Sequence, residues 1–149
     1  MKLASKIIAT VFGIGHFPIA PGTLTSLIVV SLYWLFLHKL SWPLHFLLFF
    51  LLFFVGVFAS SKYASEIGKE DPRNIVVDEA AGQFLVLFRM SEDWPPLLLS
   101  FLLFRLFDII KPFPIRKVEN FPSGWGIMMD DLLAAIYAGV IVNLYLILK

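Results

Sequence analysis

Cysteine is absent from this 149-residue chain, which excludes disulfides, zinc–thiolate sites and a cysteine nucleophile. Charge is scarce. Asp, Glu, Lys and Arg make up only 15% of residues and nearly cancel, at a formal net charge of +1. Bulk charge therefore provides no reason to expect a nucleic-acid partner. No internal repeat, low-complexity tail or Ser/Gly-rich linker divides the sequence, and its length suits one domain, 1–149. The weakly basic N-terminus, Met1-Lys2-Leu3-Ala4-Ser5-Lys6, has no convincing small-residue cleavage site after an apolar core. No removable signal peptide is expected.

What is present is apolar. The hydrophobic fraction is 59%, with 16 Phe, and the mean hydropathy is +0.85. A water-soluble chain of this size has little interior in which to hide so much; a membrane removes the difficulty. The rival reading, a soluble helical protein with an unusually apolar core, cannot be separated by periodicity alone. Apolar segments cover residues 24–37, 43–59, 78–88, 97–110 and 131–148. Helices satisfy backbone groups in lipid for so few segments, whereas a closed barrel needs more strands with period-two alternation. The expected class is all-α: a multi-helical integral membrane protein with about four to five short transmembrane or re-entrant helices and an N-terminal interfacial helix. At roughly 1.5 Å per residue the segments reach about 21–27 Å, against a hydrocarbon core of about 30 Å.

Threading these segments back and forth puts Lys2, Lys6, Lys62, Lys69, Arg73, Arg105, Lys111, Arg116 and Lys117 at one face. Lys39, Arg89 and Lys149 fall at the other. The positive-inside rule makes the first face cytoplasmic. Asp78, Glu79, Asp108, Asp130 and Asp131 arrive there too. Acids in an apolar segment cost roughly 2.5–3.5 kcal/mol each by insertion scales and are usually paired or functional. Arg105 and Lys111, three residues either side of Asp108, can share its side of the helix end. Such a set can close on itself as ion pairs. It can equally hold a hard cation such as Mg²⁺ and leave the bases for an anion. The competing reading makes Asp78 and Asp130 helix N-caps, with Glu79 and Asp131 favourable to the dipole. Two such pairs at one face beside Asp108 favour a site. Adjacent helical residues point about 100° apart, so all five cannot bind one ion. Gly22 allows close approach in the segment 13–26, whose Thr23 is a candidate cap. Thr23 and Ser26 are candidate phosphate-binding hydroxyls. His16 is a candidate general acid or base.

Four blocks carry a resemblance. They are Gly13-x-Gly15-x-x-Pro18-x-Ala20-Pro21-Gly22-Thr23; Val77-Asp78-Glu79-x-x-Gly82; Phe104-Arg105-x-Phe107-Asp108-Ile109-x-Lys111-Pro112; and Gly126-Ile127-Met128-Met129-Asp130-Asp131-x-x-Ala134. In this order and across nearly the whole chain, they resemble the phosphatidylglycerophosphatase A family. One departure is Thr25, where Gly is expected before the serine of the first block. The resemblance implies a Mg²⁺-dependent phosphatase of the bacterial inner membrane. It would hydrolyse the terminal phosphate monoester of phosphatidylglycerophosphate to phosphatidylglycerol, in phospholipid biosynthesis. Its partners would be that substrate and membrane lipids, with the oligomeric state left open.

On this reading Asp78, Glu79, Asp130 and Asp131 supply metal ligands, while Arg105 and Lys111 bind phosphate and stabilise its charge. Asp108 orients these bases, completes the metal shell or acts as base, and His16 or a metal-bound water protonates the leaving oxygen. An aspartyl phospho-enzyme is the mechanistic rival. The Asp-x-Asp, Ser-Gly-His and Asp-Gly-x-x-Ala-Arg signatures of other phosphoryl and headgroup enzymes are missing. A small transporter or ion-binding protein would spread its acids through the membrane depth, and a scaffold would tolerate Asp131→Asn.

Overall fold

Proline opens the three helices that follow loops on the way into the apolar layer, and a left-handed residue closes two of them. The computed structural model describes residues 2–149. Among these are seven α-helices and no strand: α1 Lys2–Ala9, α2 Pro21–Leu35, α3 Trp42–Ile67, α4 Val77–Val86, α5 Trp94–Ile110, α6 Ile115–Val118 and α7 Gly124–Leu148. Pro stands in the first two positions of α2, α3 and α5, where its missing N–H is no loss. Gly68 at φ 71° ends α3 and Lys111 at φ 47° ends α5. The all-helical expectation holds.

Two helices are long and apolar enough to cross a membrane, α3 with 26 residues and α7 with 25, and α2 is a shorter apolar helix. At 1.5 Å per residue the long pair reach about 39 and 37 Å, beyond the lengths expected from the apolar runs. Large side chains such as Leu47, Phe50, Phe58, Val140 and Ile147 point outward on them, which is costly in water and favourable in lipid. The molecule has the build of a membrane protein.

The extra length lies at one end. α3 continues eight residues past Ala59 because Ser60, Tyr63 and Ala64 are buried there, so its polar tail is packed helix rather than loop. α7 starts seven residues before Asp131. Its first residue, Gly124, sits where a Cβ would overlap the Val57 carbonyl of α3, and the Gly124 N–H donates to Ser61 Oγ at 2.8 Å. Only a residue without a Cβ lets the two helices meet there.

α4 is ten residues long, about 15 Å, half a hydrocarbon core. That is too short to cross one. The carbonyl of Phe84 in its last turn accepts from the buried His45 Nε2 at 2.9 Å, and Tyr33 Oη donates to Met90 O in the following turn at 2.8 Å. The His45 ring also stacks on Phe84, with centroids 4.0 Å apart. Backbone that ends within an apolar layer needs such partners. One apolar cluster joins α1, α3, α4 and the start of α7, and a second joins α2, α5 and the rest of α7. The first turn of α4 thereby meets the first turns of α7 and the last turns of α5.

Candidate active site

Local helix geometry corrects the cap readings first. Val76 is the N-cap of α4, so Asp78 and Glu79 are its second and third residues, still favourable to the helix dipole. Asp130 and Asp131 lie almost two turns inside α7, buried at 6% and 2% exposure, where capping is impossible. Ala20 rather than Thr23 is the N-cap of α2. Capping therefore explains none of these acids, and their burial requires another reason.

The structure brings the five acids together as two trios that share Asp131. One carboxylate oxygen each from Asp78, Glu79 and Asp131 lie within 4.8 Å of one another, and so do one each from Asp108, Asp130 and Asp131. The trios differ in what they already hold. Asp130 Oδ2 accepts from Lys111 Nζ at 2.7 Å, and its Oδ1 accepts the Asp131 N–H at 2.9 Å. Asp108 Oδ2 pairs with Arg105 Nη1 at 2.7 Å. In the first trio Asp78 Oδ1, Glu79 Oε2 and Asp131 Oδ2 are all buried without a hydrogen-bond donor from the protein. A cluster of buried carboxylates that offers three oxygens within one ion's reach suits a hard divalent cation. In the second trio Asp108 and Asp130 are each paired with one of the chain's own bases, and Asp131 is not.

Those bases are also incompletely used. Arg105 Nη1 lies 3.7 Å from Glu79 Oε1 as well as close to Asp108. Yet neither its Nε–H nor its Nη1 donors meet an aligned acceptor, and both atoms are buried. Lys111 bridges Asp130 and Glu119, with Nζ 2.7 and 2.8 Å from their oxygens. Burial works against its ammonium, but the hydrogen bonds to Asp130 and Glu119 outweigh that and hold its pKa above the ordinary lysine value. The left-handed backbone of Lys111 costs a non-glycine residue about 1 kcal/mol, and it turns the side chain back toward α7.

Gly22 completes the wall. A Cβ there would overlap Glu79 Oε1, so α2 lies directly against the carboxylate. Ser26, one turn further on that face, is fully buried with Oγ unpartnered. Thr23 is half-buried and points about 100° away around the helix. Thr25, the departure from the expected Gly, is buried and donates back to Pro21 O at 3.0 Å. His16 stands apart. It is exposed on the 3-10 turn Ile14–His16, in a side cavity with Lys69, Arg73 and Asn74, and no hydrogen bond or ion pair links it to an acid. A cavity of about 710 Å³, bordered by Ser61, Asp71, Glu119 and Asp130, meets the acidic cluster at Asp130. Sequence reasoning missed Glu119, eight residues past Lys111 in a Pro- and Phe-rich loop, where only the fold brings it back.

Fold and site together define a helical membrane protein with a buried acidic centre suited to a divalent ion beside an arginine whose Nε–H is unpartnered. The phosphatidylglycerophosphatase A family profile matches residues 7–146. A phosphatidylglycerophosphatase A of Haemophilus influenzae is 41% identical over 138 residues, covering 91% of this chain and 85% of its own. That of Escherichia coli is 36% identical over 138 residues, covering 91% and 80%. A Bacteroides thetaiotaomicron protein, provisionally named a phosphatidylinositol-3-phosphatase, is 41% identical over 145 residues, covering 91% and 89%. The chain belongs to the phosphatidylglycerophosphatase A family. No solved structure matches it significantly.

Proposed function

We propose that this chain hydrolyses the terminal phosphate monoester of phosphatidylglycerophosphate, at the cytoplasmic face of a bacterial inner membrane that it crosses several times. The observation that carries the reading is the pairing of opposites at one point. Asp78, Glu79 and Asp131 each keep a buried oxygen without a donor, and Arg105, whose Nη1 lies 3.7 Å from Glu79 Oε1, keeps a buried Nε–H without an acceptor. A phosphate-bound cation would satisfy both sets at once. The family supports phosphatase chemistry, and the gathering of Lys and Arg at the acidic end supports a cytoplasmic orientation.

Asp78, Glu79 and Asp131 would hold Mg²⁺, their free oxygens meeting its preference for oxygen ligands. When bound, the ion would neutralise phosphate oxygens and lower the pKa of an attacking water. Arg105 binds the phosphoryl oxygens through donors its own carboxylates leave free. Asp108 orients Arg105 by their ion pair, and its other oxygen takes a proton from water as the new O–P bond forms. The bond between phosphorus and the lipid oxygen breaks, and that proton passes to the departing oxygen, leaving an alcohol and hydrogen phosphate. Lys111 is held by Asp130 and Glu119, which line the larger cavity, and can meet phosphate on its way out. His16 takes no part in this scheme because its side chain faces a separate cavity.

A second headgroup reading rests on the Bacteroides relative: the same centre would act on a phosphorylated inositol lipid. Phosphate release from purified protein, with both lipids compared in the same micelles, separates the two. A higher kcat/KM for phosphatidylglycerophosphate is expected. Turnover of the inositol lipid alone would replace the first reading, and release from neither would defeat both.

A further inference from the structure

An apolar groove of about 510 Å³ opens between α1, α2, α3 and α4. Its walls include Val29 and Leu32 of α2 and Leu48, Leu52 and Val55 of α3, and its lining is almost wholly apolar. Phe12, Leu51 and Val55 at its rim are exposed, so it faces the same surroundings as the outward faces of α3. What fills it in a membrane is hydrocarbon. Its floor is the informative part. Val77, Ala80 and Phe84 of α4 form it, one helical face spaced at i, i+3 and i+7. Asp78 and Glu79 sit between the first two, turned toward the acidic centre. A chain lying on Val77 and Ala80 therefore ends within one helical turn of the carboxylates.

The dimensions agree. Leu48 to Val55 and Val77 to Phe84 each span eight residues, about 10 Å of helix from first to last, which is two thirds of a leaflet about 15 Å deep. On α2 the wall begins at Val29, two turns along the face that carries Gly22 and Ser26, the residues turned toward the site. A second apolar cavity of about 340 Å³ between α2 and α5 lacks this relation. It is lined by Trp34, Trp94 and Leu98, at the opposite end of the helices from the acids. We propose that the α1–α4 groove seats an acyl chain of the phospholipid substrate, gripping the tail while the phosphate reaches the acidic centre beside Ala80. This rests on the lipid-phosphatase reading above and adds to it a site for the tail.

The test uses the full chain in micelles and two probes. The first is phosphatidylglycerophosphate with a photoactivatable diazirine in mid-chain, mixed with the protein in Mg²⁺ and cross-linked by a brief light pulse before turnover. Label is expected on Val29, Leu52 and Val55, diminished by unlabelled phosphatidylglycerophosphate and not by phosphatidylcholine. Label spread over outward residues such as Leu47, Phe50 and Leu144, or competed equally by both lipids, would overturn the proposal. The second is the ratio of kcat/KM for long-chain over short-chain substrate. Val29→Trp and Val55→Trp should each lower that ratio about tenfold, the loss of roughly two buried methylenes. Leu98→Trp, in the other apolar cavity, should not change it. An unchanged ratio in both groove variants would also overturn the proposal. Wild-type protein that labels in the groove but releases no phosphate from any lipid would refute the phosphatase reading instead.

Discussion

Gly22→Ala should leave a folded protein with a crippled site. A Cβ at Gly22 would lie 2.6 Å from Glu79 Cδ and overlap Oε1, while unstrained carbon contacts begin near 3.5 Å. The carboxylate must retreat by about 1 Å. Because what moves is the end of a side chain rather than backbone, the stability cost is small, about 1 kcal/mol of overpacking. That is offset by a helix preference for Ala over Gly of about 0.8–1 kcal/mol. The functional cost is larger. Glu79 contributes one oxygen to the first trio and lies near Arg105, and a misplacement of about 1 Å at a reacting centre can lower turnover about a hundredfold. Thermal unfolding in micelles beside steady-state phosphate release measures both. The expected pair is a midpoint within a few degrees of wild type and a kcat about a hundredfold lower. A kcat within about threefold of wild type, with the fold intact, would refute the contact between α2 and the site as a determinant of activity.

Further outcomes follow from the same geometry. Arg105→Lys keeps the charge but removes the Nε donor and the planar fork; kcat/KM should fall about ten- to a hundredfold, the worth of one charged hydrogen bond, and an unchanged value would remove Arg105 from phosphate binding. Lys111→Met leaves Asp130 without its cation and should cost about 1–2 kcal/mol in denaturant unfolding, discounted from a fully buried pair because the Lys111 side chain is 22% exposed. The folded pKa of Lys111 is raised, so this contribution is fully present below its unfolded value near 10.4 and is lost only as pH climbs through the folded one. The cost should therefore be the same at pH 7 and pH 9, and a cost that vanishes by pH 9 would contradict the pairing. A single turnover in ¹⁸O-water should place the label in phosphate, whereas label in an aspartate would replace direct water attack with a phospho-enzyme.

Much of the fold was legible because it rests on composition and on spacing. The crowding of Phe and Leu marked the apolar helices, and Ser91-Glu92-Asp93-Trp94-Pro95-Pro96 marked the break before α5. The ends were not legible. Apolar runs stop at Ala59 and start again at Asp131, but the helices extend beyond both because Ser60, Ala64 and Gly124 pack helix against helix, a tertiary effect with no local signature. That error made Asp130 look like a cap. The five acids were legible as a group because each is conspicuous in an apolar context. Which of them are paired with bases was not, since that depends on the left-handed Lys111 turning back to Asp130. His16 carried only the general suitability of imidazole for proton transfer, and the fold faces it elsewhere.

The most direct test of the central claim is binding of Mn²⁺, as a spectroscopic stand-in for Mg²⁺, measured by electron paramagnetic resonance on purified protein alongside phosphate release. Wild type is expected to bind the ion tightly and to lose phosphatase activity in EDTA. Asp131→Asn, which removes charge from the carboxylate common to both trios, is expected to weaken binding at least a hundredfold and abolish release, since even supporting residues around a metal are worth 10–100-fold. Full phosphate release in EDTA, or wild-type ion affinity in Asp131→Asn, would contradict the assignment of these carboxylates to a metal-dependent phosphatase.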